Sequence, residues 1–300
     1  MESAAQIWPQ LPDVAMSVSV TFWGTRGTIP VPGGGTARYG GNTSCVSIRD
    51  TAGHCVILDA GTGIRGLGKA LRGETSVGRL DLFLSHVHWD HIQGLPFFWP
   101  MYADRQDIRV YGPTPVGIGL ETVLERQFDS AVYPVPRAAR PAQLSVTEIR
   151  AGSAVEIPGF RVRTCQLSHP GGALGYLVTP IAGGPAVAYL TDNELGRGGA
   201  SRVPATWRDD LTSFVSGVTL LIHDGMYTPA LGEERAGWGH SSAVEAVALA
   251  KDGGVQQLVL FHHDPDHDDG QIDGLLTIAR AAAPAGLTVS AAREGWTVTL

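Results

Sequence analysis

Apolar positions along this chain fall into short blocks separated by Gly, Pro, Asn and Asp, the pattern of buried strands joined by turns. In the first half, strands are expected at 17–23, 44–49, 55–58, 80–84 and 108–111. The second half adds 160–166, 174–178, 186–190, 220–223 and 258–261, with two more strand signals closing the chain. Apolar residues recur at helical spacing over 64–71, 116–128, 243–251 and 272–283, and the stretch from Trp89 to about Phe98 also reads as an apolar helix. The Pro- and Arg-rich segment 127–141 has neither period and reads as a loop. Strands and helices are interspersed without a break in composition. That predicts an α/β architecture, with one domain over 17–300 behind an N-terminal tail of residues 1–16.

The most specific chemistry follows the expected strand 80–84. Ser85-His86-Val87-His88-Trp89-Asp90-His91 sets three imidazoles and a carboxylate within six positions of one turn. Neutral imidazole nitrogen and carboxylate oxygen are ligands of a borderline divalent cation. A cluster of this size does not fill two metal sites alone, so further ligands must arrive from later strand ends. His169, Asp192 and His262 each stand just past an expected strand, at one sheet edge where loops converge. His262 and His263 compete for the last position, and register against the strand favours His262.

These segments resemble the metallo-β-lactamase superfamily of dinuclear hydrolases, and within it the branch of ribonuclease Z and the small cyclic-phosphate phosphodiesterases. The resemblance runs from Phe22-Trp23-Gly24-Thr25 to the closing strands. It rests on the His86–His91 cluster, His169, Thr191-Asp192, Leu220-Leu221-Ile222-His223-Asp224, Gly239-His240-Ser241-Ser242 and Leu258-Val259-Leu260-Phe261-His262. It implies a metallo-β-lactamase-type αββα sandwich, two central mixed sheets flanked by helices. It also implies two divalent metal ions, one held by His86, His88 and His169, the other by Asp90, His91 and His262, with Asp192 bridging them. A ligand set of His and Asp without thiolate favours zinc, with manganese and iron as alternatives.

The resemblance further implies a catalytic histidine at His240, beside a metal-activated water to which Asp90 also contributes. An imidazole suits the protonation of a leaving alkoxide near pH 7. His223 and Asp224 end a strand and are expected to orient His240 or a ligand by hydrogen bonding. Arg26 and Asn42, in Gly-rich loops, are candidates for binding the substrate phosphate.

Composition narrows the partners. A net charge of −7 disfavours a polyanion-binding surface. The chain has no apolar run near the roughly 20 residues of a membrane helix, and residues 1–15 lack the features of a signal peptide. Cys45, Cys55 and Cys165 have no ligand spacing and read as core residues of a reducing compartment. No membrane partner and a cytoplasmic location are therefore expected. Ribonuclease Z carries a tRNA-gripping insertion between the counterparts of His169 and Asp192, where this chain has only the Gly-rich hairpin 171–184. The expected substrate is accordingly a small phosphodiester, a cyclic nucleotide or cyclic sugar phosphate, with tRNA outside the range. Two alternatives remain: hydrolysis of a lactone, thioester or β-lactam carbonyl, and metal-containing ligand binding without turnover. By analogy with such proteins, a homodimer is expected.

Overall fold

The computed structural model describes residues 17–73, 78–196 and 203–300; the expected tail, residues 1–16, lies outside the described residues. One sheet is built from β1 (Val18–Gly24), β2 (Cys45–Asp50), β3 (Cys55–Leu58), β4 (Leu80–Phe83), β5 (Asp107–Gly112) and β6 (Gln143–Glu148). The other holds β7 (Ala154–Ile157), β8 (Phe160–Leu167), β9 (Ala173–Pro180), β10 (Val187–Leu190), β11 (Leu220–Asp224), β12 (Gln257–Phe261) and β13 (Thr288–Ala291). The last strand, β14 (Thr297–Thr299), crosses back to pair with β1. The orders are β14-β1-β2-β3-β4-β5-β6 and β13-β12-β11-β10-β9-β8-β7.

Both sheets are mixed: β3 to β6 run parallel, as do β10 to β13, while β1–β2–β3 and β7–β8–β9–β10 are antiparallel. Phe22, Ile48 and Phe83 from the first sheet meet Tyr176, Tyr189, Ile222 and Phe261 from the second in a buried layer between them. The outer face of the first sheet is covered by α1 (Ile64–Leu71), α2 (Trp89–Ile92) and α3 (Leu120–Arg126). On the second, α4 (Trp207–Phe214), α6 (Ala243–Asp252) and α7 (Asp269–Ala282) do the same, with α5 (Pro229–Glu234) against α6. This is the expected αββα sandwich. Buried apolar surface on both faces of each sheet explains why the strands read as continuous apolar runs rather than alternating ones.

Local chemistry sets several boundaries. Ser242 caps α6 in a capping box with Glu245, and Asp268 does the same for α7 with Gln271. The expected helix 116–128 is shorter, because Gly117 takes a φ of 77° and the helix starts only after Gly119. The stretch 89–98 is one turn of helix followed by 3₁₀ turns, since Pro96 and Pro100 remove the amides an α-helix would need. Strands β6 and β7 and helices α4 and α5 carried no clear signal. The two strands sit at sheet edges with half or more of their residues exposed, so their apolar content is low.

Parallel β3–β4 and β10–β11–β12 deliver their C-terminal ends to one side of the sandwich. The chain leaves three of those ends in the left-handed region: Asp59 (φ 61°), Asp192 (φ 48°) and His262 (φ 59°). Thr28, in the loop facing them, has φ 65°. Non-glycine residues rarely adopt this conformation, and its concentration at one edge marks where the fold accepts strain.

Candidate metal centre and active site

The loop after β4 and the ends of β8, β10 and β12 bring seven side chains together. Donor atoms of His86, His88 and His169 lie within 4.8 Å of one another, as do those of Asp90, His91, Asp192 and His262. Asp192 faces both groups. Its Oδ2 is 3.8 Å from His86 Nε2 and 3.6 Å from His169 Nε2, while its Oδ1 is 3.1 Å from His91 Nε2 and 3.2 Å from His262 Nε2. His262 Nε2 also lies 3.2 Å from Asp90 Oδ2. His263 turns the other way, donating from Nε2 to the Ala292 carbonyl at 2.8 Å, which decides between the two histidines as members of the cluster.

Neighbouring groups aim these rings. Asp59 at the end of β3 accepts from His91 Nδ1 (2.8 Å), from the Ser85 amide (2.7 Å) and hydroxyl (2.9 Å), and from the Tyr189 hydroxyl (2.7 Å). That fixes the proton of His91 on Nδ1 and turns Nε2 into the cluster. His169 Nδ1 donates to the Gly239 carbonyl at 3.0 Å, with the same result. The Asp90 carboxylate accepts from the Thr28 amide at 2.7 Å.

A divalent cation fits this donor set. His86 Nε2 and His91 Nε2 are buried without a hydrogen-bond partner among the described residues, and both point at Asp192. Buried nitrogens are seldom left so, because an unmatched polar atom costs about 1–3 kcal/mol. Burial keeps His86, His88 and His169 below their ordinary pKa, His169 at about 4, so these imidazoles are neutral, the form that ligates. For Asp90 and Asp192 burial opposes ionisation, but the neighbouring His91 and His262 outweigh it and hold both well below the usual carboxylate range.

His240 stands next to the cluster, its ring 5.3 Å from that of His169 and 5.0 Å from that of His262. Its Nδ1 meets Asp224 Oδ2 at 2.6 Å. Burial works against the charged ring, yet the Asp224 carboxylate prevails, with Asp192 and Asp90 adding to it, and His240 is raised to about 9. Asp224 is held in turn by the Met226 amide. The loop presenting His240 is fastened by Glu194, which accepts from the amides of Gly237 and Gly239. Gly239 has φ 90°, and a Cβ there would lie 2.2 Å from His169 Nδ1. These side chains open into a cleft of about 530 Å3 that is also lined by Trp89, Tyr227, Arg235 and Trp238.

Three expectations require correction. Arg26 is fully buried, and its guanidinium donates to the carbonyls of Gly40, Asp264 and His267, tying three loops together rather than facing a substrate. Asn42 gives its side-chain amide to Glu294 at 2.9 Å and is likewise engaged away from the cleft. His223 accepts from Asn193 Nδ2 and donates to the Asp224 carbonyl, so it braces β11 against the loop after β10 and touches neither His240 nor the cluster. Burial keeps it neutral, at about 4. Sequence reasoning missed Arg235, Trp238 and Tyr227. Their only signal is an exposed Trp two residues before His240, which apolar periodicity does not register.

Residues 54–263 match the family model described as a Beta-lactamase superfamily domain, most of the chain. The chain belongs to the metallo-β-lactamase superfamily. Within it, the relatives indicate the ribonuclease Z-like branch: the chain is 28% identical to the protein named Ribonuclease Z of Methanosarcina acetivorans, covering 83% of this chain and 88% of that one. Its fold is similar to human tRNase Z, short form, with a TM-score of 0.62 at 23% identity over 93% of this chain and 98% of that one. A diphosphatase from the PhnP family gives 0.64 at 18% identity, over 95% and 98%. At those identities the structural likeness speaks for the fold alone.

These relatives overturn the expectation that tRNA lies outside the substrate range. The chain aligns with proteins named ribonuclease Z along most of their length. Residues 171–184 form β9 and its flanking turns, paired with β8 and β10, rather than a hairpin; that leaves no arm there, but the cleft and its donor set do not depend on one. A net charge summed over the chain sets no bound on the cleft rim, where Arg235 stands. Among the described residues, no helix is long and apolar enough to cross a membrane.

Proposed function

We propose that this protein is a dinuclear metal-dependent phosphodiesterase in which His240 is the general acid. The observation that carries the reading is the Asp192 carboxylate, with one oxygen toward His86 and His169 and the other toward His91 and His262, beside the His240–Asp224 pair. His86, His88 and His169 would hold one ion, and Asp90, His91 and His262 the second, with Asp192 shared. Zinc suits this nitrogen and oxygen set, as do manganese and iron. Bound there, two divalent ions supply Lewis acidity, lowering the pKa of water and taking up charge on phosphoryl oxygens.

The remaining work belongs to the chain. Asp59 and the Gly239 carbonyl hold His91 and His169 in the tautomer that turns Nε2 inward. Asp224 binds the Nδ1 proton of His240 and keeps the ring cationic, leaving the Nε2 proton for the leaving oxygen of a diester. An alkoxide is a poor leaving group, and a proton delivered as the P–O bond breaks is what such a substrate needs. Phosphodiesters of cyclic nucleotides and of RNA 3′ ends present the same centre, and the relatives named ribonuclease Z support including the latter.

The test is a panel on metal-loaded protein: bis(p-nitrophenyl) phosphate, 2′,3′- and 3′,5′-cyclic nucleotides, a precursor tRNA with a 3′ trailer, a lactone and a β-lactam. Turnover of diesters is expected, together with two metal equivalents and a loss of about 10²- to 10⁴-fold in kcat for His240→Ala at unchanged metal content. Activity confined to the carbonyl substrates, or full activity in His240→Ala, refutes the proposal.

A further inference from the structure

A second depression of about 570 Å3 adjoins the metal cleft, and Trp89 is a wall of both. Trp89 falls between His88 and Asp90 in sequence, yet its side chain is 74% exposed. Phe97 and Val132 line the same groove and are also largely exposed, at 58% and 74%. Apolar side chains of this size are usually covered, and a contiguous set beside a reacting centre marks a surface that receives something. The floor is rigid. Tyr133 packs edge-on against Phe97 and Phe128, and its hydroxyl is fixed by the Tyr102 hydroxyl at 2.6 Å and the Pro96 carbonyl at 2.8 Å.

The polar members of the lining are Gln93, Arg126, Gln127 and Tyr133. Gln127, whose Nε2 has no hydrogen-bond partner among the described residues, lies on one wall, and Arg126 on the rim offers a cation to a neighbouring phosphate. An exposed aromatic surface with a guanidinium in its lining suits a planar heterocycle carrying a phosphate. It gives an aliphatic ester no comparable advantage.

Building on the phosphodiesterase reading, we propose that this groove is a nucleobase subsite, in which Trp89 and Phe97 stack the base of the nucleotide that carries the scissile phosphate. The placement follows from Trp89 itself: a base on its face lies next to the turn bearing His88 and Asp90, one nucleotide's reach from the reacting phosphorus. The substrate class is thus a nucleotide diester, from a cyclic nucleotide or from RNA, rather than a cyclic sugar phosphate.

The experiment compares diesters with and without a base on the metal-loaded protein: adenosine 2′,3′-cyclic phosphate against the methyl riboside 2′,3′-cyclic phosphate, and a short RNA with a 3′ extension against the same RNA made abasic at the cleavage site. The two pairs separate the two sources of nucleotide. In at least one pair, the base is expected to raise kcat/KM by about 5- to 100-fold, mostly through KM, as stacking on one aromatic side chain allows. Trp89→Leu and Phe97→Ala should each erase most of that preference, and Phe97→Ala should leave the base-free rate within about threefold. Phe97 lies outside the ligand turn, so its variant separates stacking from metal loss, and metal content is measured in both. Titration of the metal-free protein with adenosine monophosphate should quench tryptophan emission saturably, and Trp89→Leu should lose that quench.

Equal rates on base-bearing and base-free diesters would overturn the subsite and leave the phosphodiesterase reading standing. Absence of any diester turnover would overturn that reading, and an absent or Trp89-independent quench would then remove the subsite too. A changed oligomeric state in the groove variants, with base preference intact, would assign the groove to a contact between copies and overturn the proposal.

Discussion

Replacing Asp224 by Asn tests the pair on which the proposed acid step rests. The substitution keeps the size of the side chain and an oxygen that can accept from His240 Nδ1, so the ring can stay where it is. What disappears is the charge. In the metal-free chain that charge, joined by those of Asp192 and Asp90, overcomes the cost of burying an imidazolium and carries His240 from its ordinary 6.5 to about 9. At about 1.4 kcal/mol per tenfold change, the rise corresponds to about 3 kcal/mol in favour of the protonated ring. With the carboxylate gone, burial is left with less opposition and the ring loses its proton at a lower pH. The sign follows. A raised pKa means the acid form is complete below it and is lost as pH climbs through it, so the intact enzyme should hold kcat on a diester with a poor leaving group past neutral pH. Asp224→Asn should move that alkaline limb down by at least one pH unit and reduce kcat at pH 8 about 10- to 100-fold. The measurement is a kcat–pH profile on a cyclic nucleotide, run beside bis(p-nitrophenyl) phosphate, whose good leaving group needs little acid and should be far less affected. An unmoved alkaline limb with metal content intact would refute the assignment of His240 as acid.

Three other outcomes can be measured on the same material. Asp59→Asn keeps a residue type that tolerates the left-handed backbone at this position but presents an amide to four donors, so metal affinity is expected to fall about 10- to 100-fold; competitive chelator titration measures it, and an unchanged affinity would clear Asp59 of that role. Gly239→Ala, with its Cβ driven against His169 and φ at 90°, should lose metal and melt several degrees lower by calorimetry, while a wild-type melting curve would show that the loop can yield. Removing metal with a chelator should lower the melting temperature as well, since an ion held at 100 times its Kd stabilises by about 2.7 kcal/mol. Re-addition should restore it, and equal melting with and without metal would contradict a bound ion.

Much of the site could be read from the chain because its signals are local. The residues from His86 to His91 share one turn, and no tertiary information is needed to see that they meet. His169, Asp192 and His262 are legible one step later, because apolar blocks mark strands and strand ends share an edge. Roles set by burial could not be read. Arg26 looks like a phosphate binder in a Gly-rich loop, and only the packing of loops around it shows that it is buried, with Nε and Nη1 given to backbone carbonyls. His223 and Asp224 are adjacent in sequence but diverge in space, since alternate residues of β11 point to opposite faces. The edge strands β6 and β7 were missed for a related reason: half-exposed edges need few apolar residues, and periodicity counts nothing else.

The left-handed backbone at Asp59, Asp192 and His262 has an evolutionary corollary. Glycine would relax the backbone at each of these positions by roughly 1 kcal/mol or more, a smaller gain than the one a bound ion contributes, so the strain persists only where the chemistry is kept. A duplicated copy that no longer holds metal would gain that relief from the same single replacements that silence it. Among descendants, a glycine at the counterpart of residue 192 or 262 would therefore identify a retired enzyme more surely than a low overall similarity.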